Sequence, residues 1–395
     1  MKKYFLILLI CVGLFGFLGK TEADATIYID NEITLDDGEA TIKWRGYSDQ
    51  FSYEIGLADN PDFMNANLYS SDTLEVTIPQ ADFGEHGGKF YLRIRAVCCD
   101  PERDDYGIPG DWGATVELIF VKIDKTNFPG MYKLIKNGAT SINIITGAEE
   151  TIIFDKNEDG WLDPVEAGNV YQIITTDRGK MVNGKHKLIK ATSVSSFDGI
   201  EYFPNLNSLQ IYRYSGKKAD LSNCTAKNIY LHRFTAKQLT VVAPNAKTIY
   251  FREPLKDNAT LNLGKCSSAE EIGVIAETNN EKGLSKLTLP KETSNLKDLT
   301  LYKVHVSNLN LNSYTNLEEL YLYRCNTKTL KVNKCKQLQY LYICECKKMN
   351  SLNLKSNKNL IGADFYNSPG LTKKTVKKST SGTYTWNKGD WWTYQ

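Results

Sequence analysis

LEELYLYRC (Leu317–Cys325), LQYLYICEC (Leu338–Cys346) and LKDLTLYKV (Leu296–Val304) are one pattern, L-x-x-L-x-L-x-x-x, written three times. LNSLQIYRY (Leu206–Tyr214) and LIGADFYNS (Leu360–Ser368) repeat it, and weaker copies start at Ala226 (AKNIYLHRF), Ala246 (AKTIYFREP) and Ala269 (AEEIGVIAE). Successive starts are 20, 20, 23, 27, 21, 21 and 22 residues apart. A second apolar pair recurs between copies as Leu287-x-Leu289, Leu309-x-Leu311, Leu330-x-Val332 and Leu352-x-Leu354. So short a unit cannot bury its own leucines, so neighbours must stack. Period-two alternation buries both residues of L-x-L and turns the intervening ones outward. Residues 201–371 are therefore expected to be a solenoid whose strands, about 4.8 Å apart, build one parallel sheet. The step of 27 and the polar tract Glu277–Lys282 mark an insertion or an irregular repeat there.

This array resembles the bacterial leucine-rich repeats of the short-period type found in internalin-like surface proteins. FDGIEYFPNLNSLQI (Phe197–Ile211) looks like the entry to the first repeat of that family. The resemblance covers about 170 residues and implies the fold; it does not identify a ligand.

Stacking also accounts for most cysteines. Cys325 and Cys346 fall at one repeat position, shared with Val304, and Cys224, Cys266 and Cys335 fall in the turn where Tyr314 and Asn357 sit in neighbouring units. They read as small buried ladder residues, with disulfides between coils as the alternative. No CxxC pair is present, so zinc is not expected. The vicinal pair Cys98-Cys99 has no place in this scheme.

Outward positions carry the functional signal. The residue between the two strand apolar positions runs Gln210, Tyr230, Tyr250, Gly273, Thr300, Tyr321, Tyr342, Asp364. The next outward position runs Tyr212, His232, Arg252, Ile275, Tyr302, Tyr323, Cys344, Tyr366, with Arg213, Arg233, Lys303 and Arg324 one residue further on. Two columns of tyrosine flanked by cations are expected on one sheet face. Tyr and Arg are enriched in binding hot spots, and Tyr gives contact area at low entropic cost. The competing reading is that Tyr is simply a good strand residue. The candidate ligand residues are Tyr212, Tyr230, His232, Tyr250, Arg252, Tyr302, Tyr321, Tyr323, Arg324, Tyr342 and Tyr366.

Upstream, Asp155-Lys-Asn157-Glu-Asp159-Gly160-Trp161-Leu162-Asp163-Pro-Val-Glu166 matches the calcium-loop pattern D-x-[DN]-x-[DN]-G-x5-E. A hard cation needs six to eight oxygens. Asp155, Asn157, Asp159, the Trp161 carbonyl, Asp163 and Glu166 are the expected calcium ligands, and Gly160 permits the sharp turn. A loop without a partner loop reads as a structural clip, and similar loops recur before such arrays. An acidic surface turn is the alternative.

Residues 26–122 alternate in short runs: Thr26–Ile29, Ala40–Trp44, Phe51–Leu57, Thr73–Ile78, Lys89–Val97 and Ala114–Phe120, broken by Gly, Asp, Asn and Pro. That is the mark of a β-sandwich. TIKW (Thr41–Trp44), YEIGLADNPDF (Tyr53–Phe63), YLRIRAV (Tyr91–Val97) and GDWGA (Gly110–Ala114) resemble a fibronectin type III domain, which implies a spacer or a binding platform. The fold class expected is thus mainly β, a sandwich followed by a repeat solenoid.

At the N-terminus, Lys2 and Lys3 precede an apolar run from Tyr4 to Leu18 that is too short for a comfortable membrane helix. Ala23-Asp24-Ala25 fits a signal-peptidase site, so residues 1–25 read as a signal peptide and the mature chain starts near Thr26. Lipidation at Cys11 is the alternative. Export is expected, to the extracellular space or cell surface, with the periplasm as alternative and no membrane span in the mature chain.

The domains are therefore 1–25, 26–122, a junction or cap at 123–200, repeats at 201–371 and a tail at 372–395. The tail's Trp386, Trp391, Trp392 and Tyr394 read as a cap on the last coil or a sugar platform.

The 395 residues carry a formal net charge of +2, which conceals an asymmetry. Residues 26–122 hold 7 basic against 19 acidic side chains, 123–200 hold 9 against 10, and 201–395 hold 29 against 15. A basic array would favour an acidic partner. Nucleic acid is not expected of an exported chain with no such module. The four histidines, His86, His186, His232 and His305, are scattered, and no nucleophile motif, phosphate loop or carboxylate pair outside the calcium-like loop stands out, so an enzyme is not expected. The expected function is recognition or adhesion by a monomer that binds a protein through its Tyr/Arg face. A glycan on the same aromatic columns, or an acidic cell-surface polymer, is the alternative.

Overall fold

The computed structural model describes residues 27–387, apart from 37–38, 47–50, 143–148, 183–184, 255–257, 277–282 and 292–294. The signal-peptide reading, the tract Glu277–Lys282 and the aromatics Trp391, Trp392 and Tyr394 lie outside the described residues. The chain divides into two compact units, one of residues 1–82 with 90–118 and one of residues 83–89 with 119–395. No described helix is long and apolar enough to cross a membrane.

The first unit is antiparallel. Tyr28–Asp36 pairs with Glu39–Arg45, which pairs in turn with Glu75–Pro79. A second sheet sets Phe51–Ala58 between Asn67–Ser71 and Gly87–Cys98. Alternation decides which residues face inward: Phe90, Leu92, Ile94 and Ala96 are buried while Arg93 and Arg95 are not. The two sheets share a core in which Trp44 meets Tyr53 edge to face, ring centroids 5.3 Å apart. On the outer side Trp112 is covered by the guanidinium groups of Arg93 and Arg95, 4.4 and 4.5 Å from its centroid.

The second unit is a β-solenoid with a parallel sheet, and it resembles the leucine-rich-repeat type. Among the described residues its main sheet has 12 strands. Gln172–Ile174, Ser208–Ile211, Asn228–His232, Thr248–Arg252, Glu271–Ile275, Asp298–Tyr302, Glu319–Tyr323, Tyr340–Cys344, Gly362–Tyr366 and Thr383–Asn387 follow one another in parallel. The pairing keeps one register, with Tyr230 opposite Tyr250, Thr300 opposite Tyr321, and Tyr321 opposite Tyr342. It also survives the 27-residue step, where Glu271 still lies opposite Asp298.

Each L-x-L pair points into one continuous core. Leu299, Leu301, Leu320, Leu322, Leu341 and Ile343 are at most 1 % exposed. The second apolar pairs form shorter parallel ladders, such as Lys218–Asp220, Gln238–Val242, Thr260–Lys265 and Lys286–Thr288. The same core takes in Phe128, Leu134, Phe154, Leu162 and Phe203 from residues 123–205, which cover the first coil.

The parallel sheet extends beyond the recognised copies at both ends. Gln172–Ile174 joins it upstream and Thr383–Asn387 downstream, where Trp386 packs on Phe365 at 5.6 Å.

The turn cysteines are buried free thiols, placed as small ladder residues. Their position has a further job: in three successive coils it supplies a donor to a carbonyl of the coil before. The Tyr314 hydroxyl donates to the Pro290 carbonyl (2.6 Å), the Cys335 thiol to Leu311 (3.1 Å), and the Asn357 amide to Val332 and Cys335 (2.9 and 2.8 Å). Cys325 and Cys346 do the same at the other corner, facing the carbonyls of Leu301 and Leu322. Three side-chain types fit because each has an N–H, O–H or S–H donor.

Asn357 is fully buried, so Asn357→Ala should cost about 1–3 kcal/mol by orphaning buried carbonyls. Asn357→Cys, which reproduces Cys335 one coil earlier, should recover part of that loss. Urea unfolding of the two variants checks both.

Candidate functional site: the tyrosine face of the parallel sheet

One translation, repeated coil by coil, lines up the outward residues. Rings on adjacent strands must lie near the strand spacing of about 4.8 Å, which suits offset aromatic stacking. Tyr321 and Tyr342 stack at 4.6 Å with planes 4° apart, Tyr302 and Tyr323 at 4.7 Å, and Tyr230 and Tyr250 at 5.6 Å. Tyr212 stacks on His232 at 5.6 Å. Such pairs contribute about 0.5–1.5 kcal/mol each beyond simple burial.

The columns are not continuous. Gly273 and Thr300 interrupt one, and Ile275 the other. Tyr212, Tyr230, His232, Tyr250 and Arg252 make one block, and Tyr302, Tyr321, Tyr323, Arg324, Tyr342 and Tyr366 make a second. His232 is 9 % exposed, and burial with the nearby Arg252 and Arg233 lowers its pKa, which favours the neutral ring. Within the second block Cys344 is buried, its thiol pushed up to about 11 by desolvation.

The corner arginines are spent within the solenoid. Six of the strands are followed by a left-handed residue: Arg233, Glu253, Lys303, Arg324, Glu345 and Asn367 have φ between 43° and 53°. That turn lets the backbone N–H of Arg233, Lys303 and Arg324 reach a carbonyl of the next coil, at 2.9 Å in each case. The arginine side chains then pair along the corner. Arg324 meets Glu345 at 2.8 Å and Arg233 meets Glu253 at 2.7 Å, while Arg213 and Arg233 share Asp177 at 2.7 and 3.3 Å. Arg324 also lies over the Tyr323 ring, 5.2 Å from its centroid.

A third outward column escaped the sequence reading. It precedes the first buried residue of each strand and runs Ser208, Asn228, Thr248, Glu271, Asp298, Glu319, Tyr340, Gly362. Paired carboxylates do therefore occur outside the calcium-like loop. The signal was available, since the spacings of Glu271, Asp298 and Glu319 are the repeat steps themselves.

The outer two are held by tyrosine. The Tyr250 hydroxyl donates to Glu271, as does Thr248 at 3.4 Å, and the Tyr321 hydroxyl donates to Glu319 at 2.5 Å. Tyr250 reaches Glu271 by lying across the next strand, where a Cβ on Gly273 would come within 2.2 Å of its ring. Asp298 stands between them. Its carboxyl is pushed up to about 6, first by burial and then by Glu319, Glu271 and Glu318, against a smaller pull from Lys297.

In the calcium-like loop the carboxylates mostly accept backbone N–H groups. Glu166 and Asp163 form a reciprocal cap on the short helix Pro164–Gly168. Glu166 also accepts from the N–H of Lys156 at 2.5 Å, Asp155 from Gly160 at 3.0 Å, and Asp159 from Trp161 at 2.7 Å. Asn157 turns its amide nitrogen to Asp159 at 2.8 Å. Gly160 has φ of 84°. Trp161 stacks on Phe120 at 5.2 Å, which anchors the loop. Burial, then Asp163 and Asp155, push Glu166 up to about 7. The second oxygen of Asp155 is buried without a partner. Among the described residues no three His, Cys, Asp or Glu side chains converge closely enough to form a metal cluster as they stand.

No protein-family model matches the chain, and no curated protein matches its sequence.

The acidic column yields a pH prediction. The Asp298 carboxyl binds its proton more tightly when folded than at its ordinary value of 3.8, so stability is lost as pH rises through about 6. Asp298→Asn should therefore unfold at higher denaturant than the parent at pH 7.5, by about 1 kcal/mol after solvent screening, and match it near pH 4. A gap that stays constant with pH would refute the assignment.

Proposed function

We propose that the chain is an exported recognition or adhesion protein of internalin-like character, which binds a protein ligand through the sheet face of its solenoid. The reading is of a binder, not a catalyst. The observation that carries it is the pair of tyrosine blocks, whose stacked rings lie half-buried at the outward positions of one sheet face. Residues 26–122 act, in this reading, as a fibronectin type III-like spacer, and the apolar leader directs export.

A glycan is the second reading. It draws support from an open groove of about 790 Å³ at the last coils, where Phe365 and Trp386 lie beside Arg324, Lys347 and Lys373.

We also propose that Asp155, Asn157, Asp159, Asp163, Glu166 and the Trp161 carbonyl hold a calcium ion as a structural clip. The donors are all oxygens in the right order, and the unpartnered Asp155 oxygen is what a hard cation would satisfy. Binding would require Asn157 to offer its oxygen.

Two experiments test these readings. The full chain is screened on a glycan array and against a displayed random-peptide library, then retested as Tyr321→Ala/Tyr342→Ala. Peptide binding that the double variant loses is expected, and face-dependent sugar binding in its place would reverse the preference. Separately, calcium should raise the melting temperature, and Asp155→Ala/Glu166→Ala should abolish the rise. No shift in the parent protein would remove the calcium site.

A further inference from the structure

The basic excess of residues 201–395 invites an acidic partner, but the sheet face does not carry it. Across the three outward columns the charged residues are Glu271, Asp298, Glu319 and Asp364 against Arg252, with His232 held toward neutrality. The corner cations Arg213, Arg233 and Arg324 are already paired with Asp177, Glu253 and Glu345. Beside the face, Lys247 and Lys297 are both engaged by Glu270, at 2.5 and 3.3 Å. Among the described residues no cation pairs with Glu271, Asp298 or Glu319.

The three carboxylates lie directly opposite one another on successive strands, an arrangement that is repulsive in a sheet. They occupy the break between the two tyrosine blocks. Tyr230 and Tyr250 close one side, the Tyr250 ring folding over the buried Gly273, and Tyr321 and Tyr342 close the other, while Thr300 leaves the floor low between them. With the Tyr250 ring over Gly273, one open strand, that of Thr300, separates walls two strand spacings apart, about 10 Å. The walls are the Tyr250 and Tyr321 rings, whose hydroxyls donate to Glu271 and Glu319, and the edge presents carboxylates that no cation neutralises among the described residues.

We propose that this unpartnered stretch of sheet face docks a basic segment of a protein partner, with an Arg or Lys side chain seated over Thr300, between the Tyr250 and Tyr321 rings. The charge complementarity is direct. A guanidinium or ammonium there neutralises the Glu271–Asp298–Glu319 ladder by charge-assisted hydrogen bonds. Its flanks lie against the rings of Tyr250 and Tyr321, an arrangement that favours cations. This rests on the protein-ligand reading above and adds the sign of the ligand's charge, opposite to the one the overall composition favours.

The test uses the full chain and a displayed random-peptide library. Selected peptides are expected to be enriched in Arg and Lys and to weaken steeply with salt. Binding should fall about tenfold in Glu271→Gln/Asp298→Asn/Glu319→Gln, a near-isosteric change that relieves repulsion and leaves the fold intact. Gly273→Ala, which displaces the Tyr250 ring, should weaken the same peptides. If the selected peptides are neutral or acidic and are still lost on Tyr321→Ala/Tyr342→Ala, the face binds protein but the basic partner is wrong. If no peptide is selected and sugars bind the face instead, the protein-ligand reading itself falls.

Discussion

Every coil of the solenoid must lie one strand spacing from the last, in the same register, because no coil can bury its leucines or pair its backbone alone. That single translation turns any residue choice into a column. Leucines become a core, the turn donors become a chain of hydrogen bonds to the preceding coil, and tyrosines become stacks. Carboxylates placed at one position in three successive coils become a repulsive ladder. The fold rewards the first three and penalises the fourth, so Glu271, Asp298 and Glu319 are the part of the face least explained by stability.

Charge illustrates how far placement can depart from composition. The array is strongly basic in sum, yet its lysines sit mainly off the sheet face, and its corner arginines are consumed by Asp177, Glu253 and Glu345. The sheet face is left with an acidic centre between aromatic blocks. A net charge read over a hundred or more residues says little about a surface only eight strands wide and three residues deep.

The legible part of the fold was the part with period. L-x-L at steps near 21 predicted the parallel sheet, its outward columns and the ladder positions of the cysteines. Alternation predicted the inward face of Lys89–Val97. What stayed hidden lacked either signal. Gln172–Ile174 joins the sheet without leucines, and Asn67–Ser71 is a largely exposed strand with no apolar alternation. The tyrosine columns were traceable from spacing alone. Their break could be seen only as missing letters at Gly273 and Thr300, and the acidic column lay one residue outside the pattern being read. The donor role shared by Tyr314, Cys335 and Asn357 was invisible because the three share no size or polarity class, only an available hydrogen.

The survival of register across the 27-residue step has an evolutionary consequence. A coil can carry extra residues, or a whole coil can be duplicated, while strand pairing continues undisturbed on either side. Each added coil would move the two aromatic blocks apart by one fixed increment, with no new packing problem to solve. Ligand spacing in such a protein can therefore be adjusted in discrete steps by gene duplication, while the chemistry at each step is changed by single substitutions at outward positions.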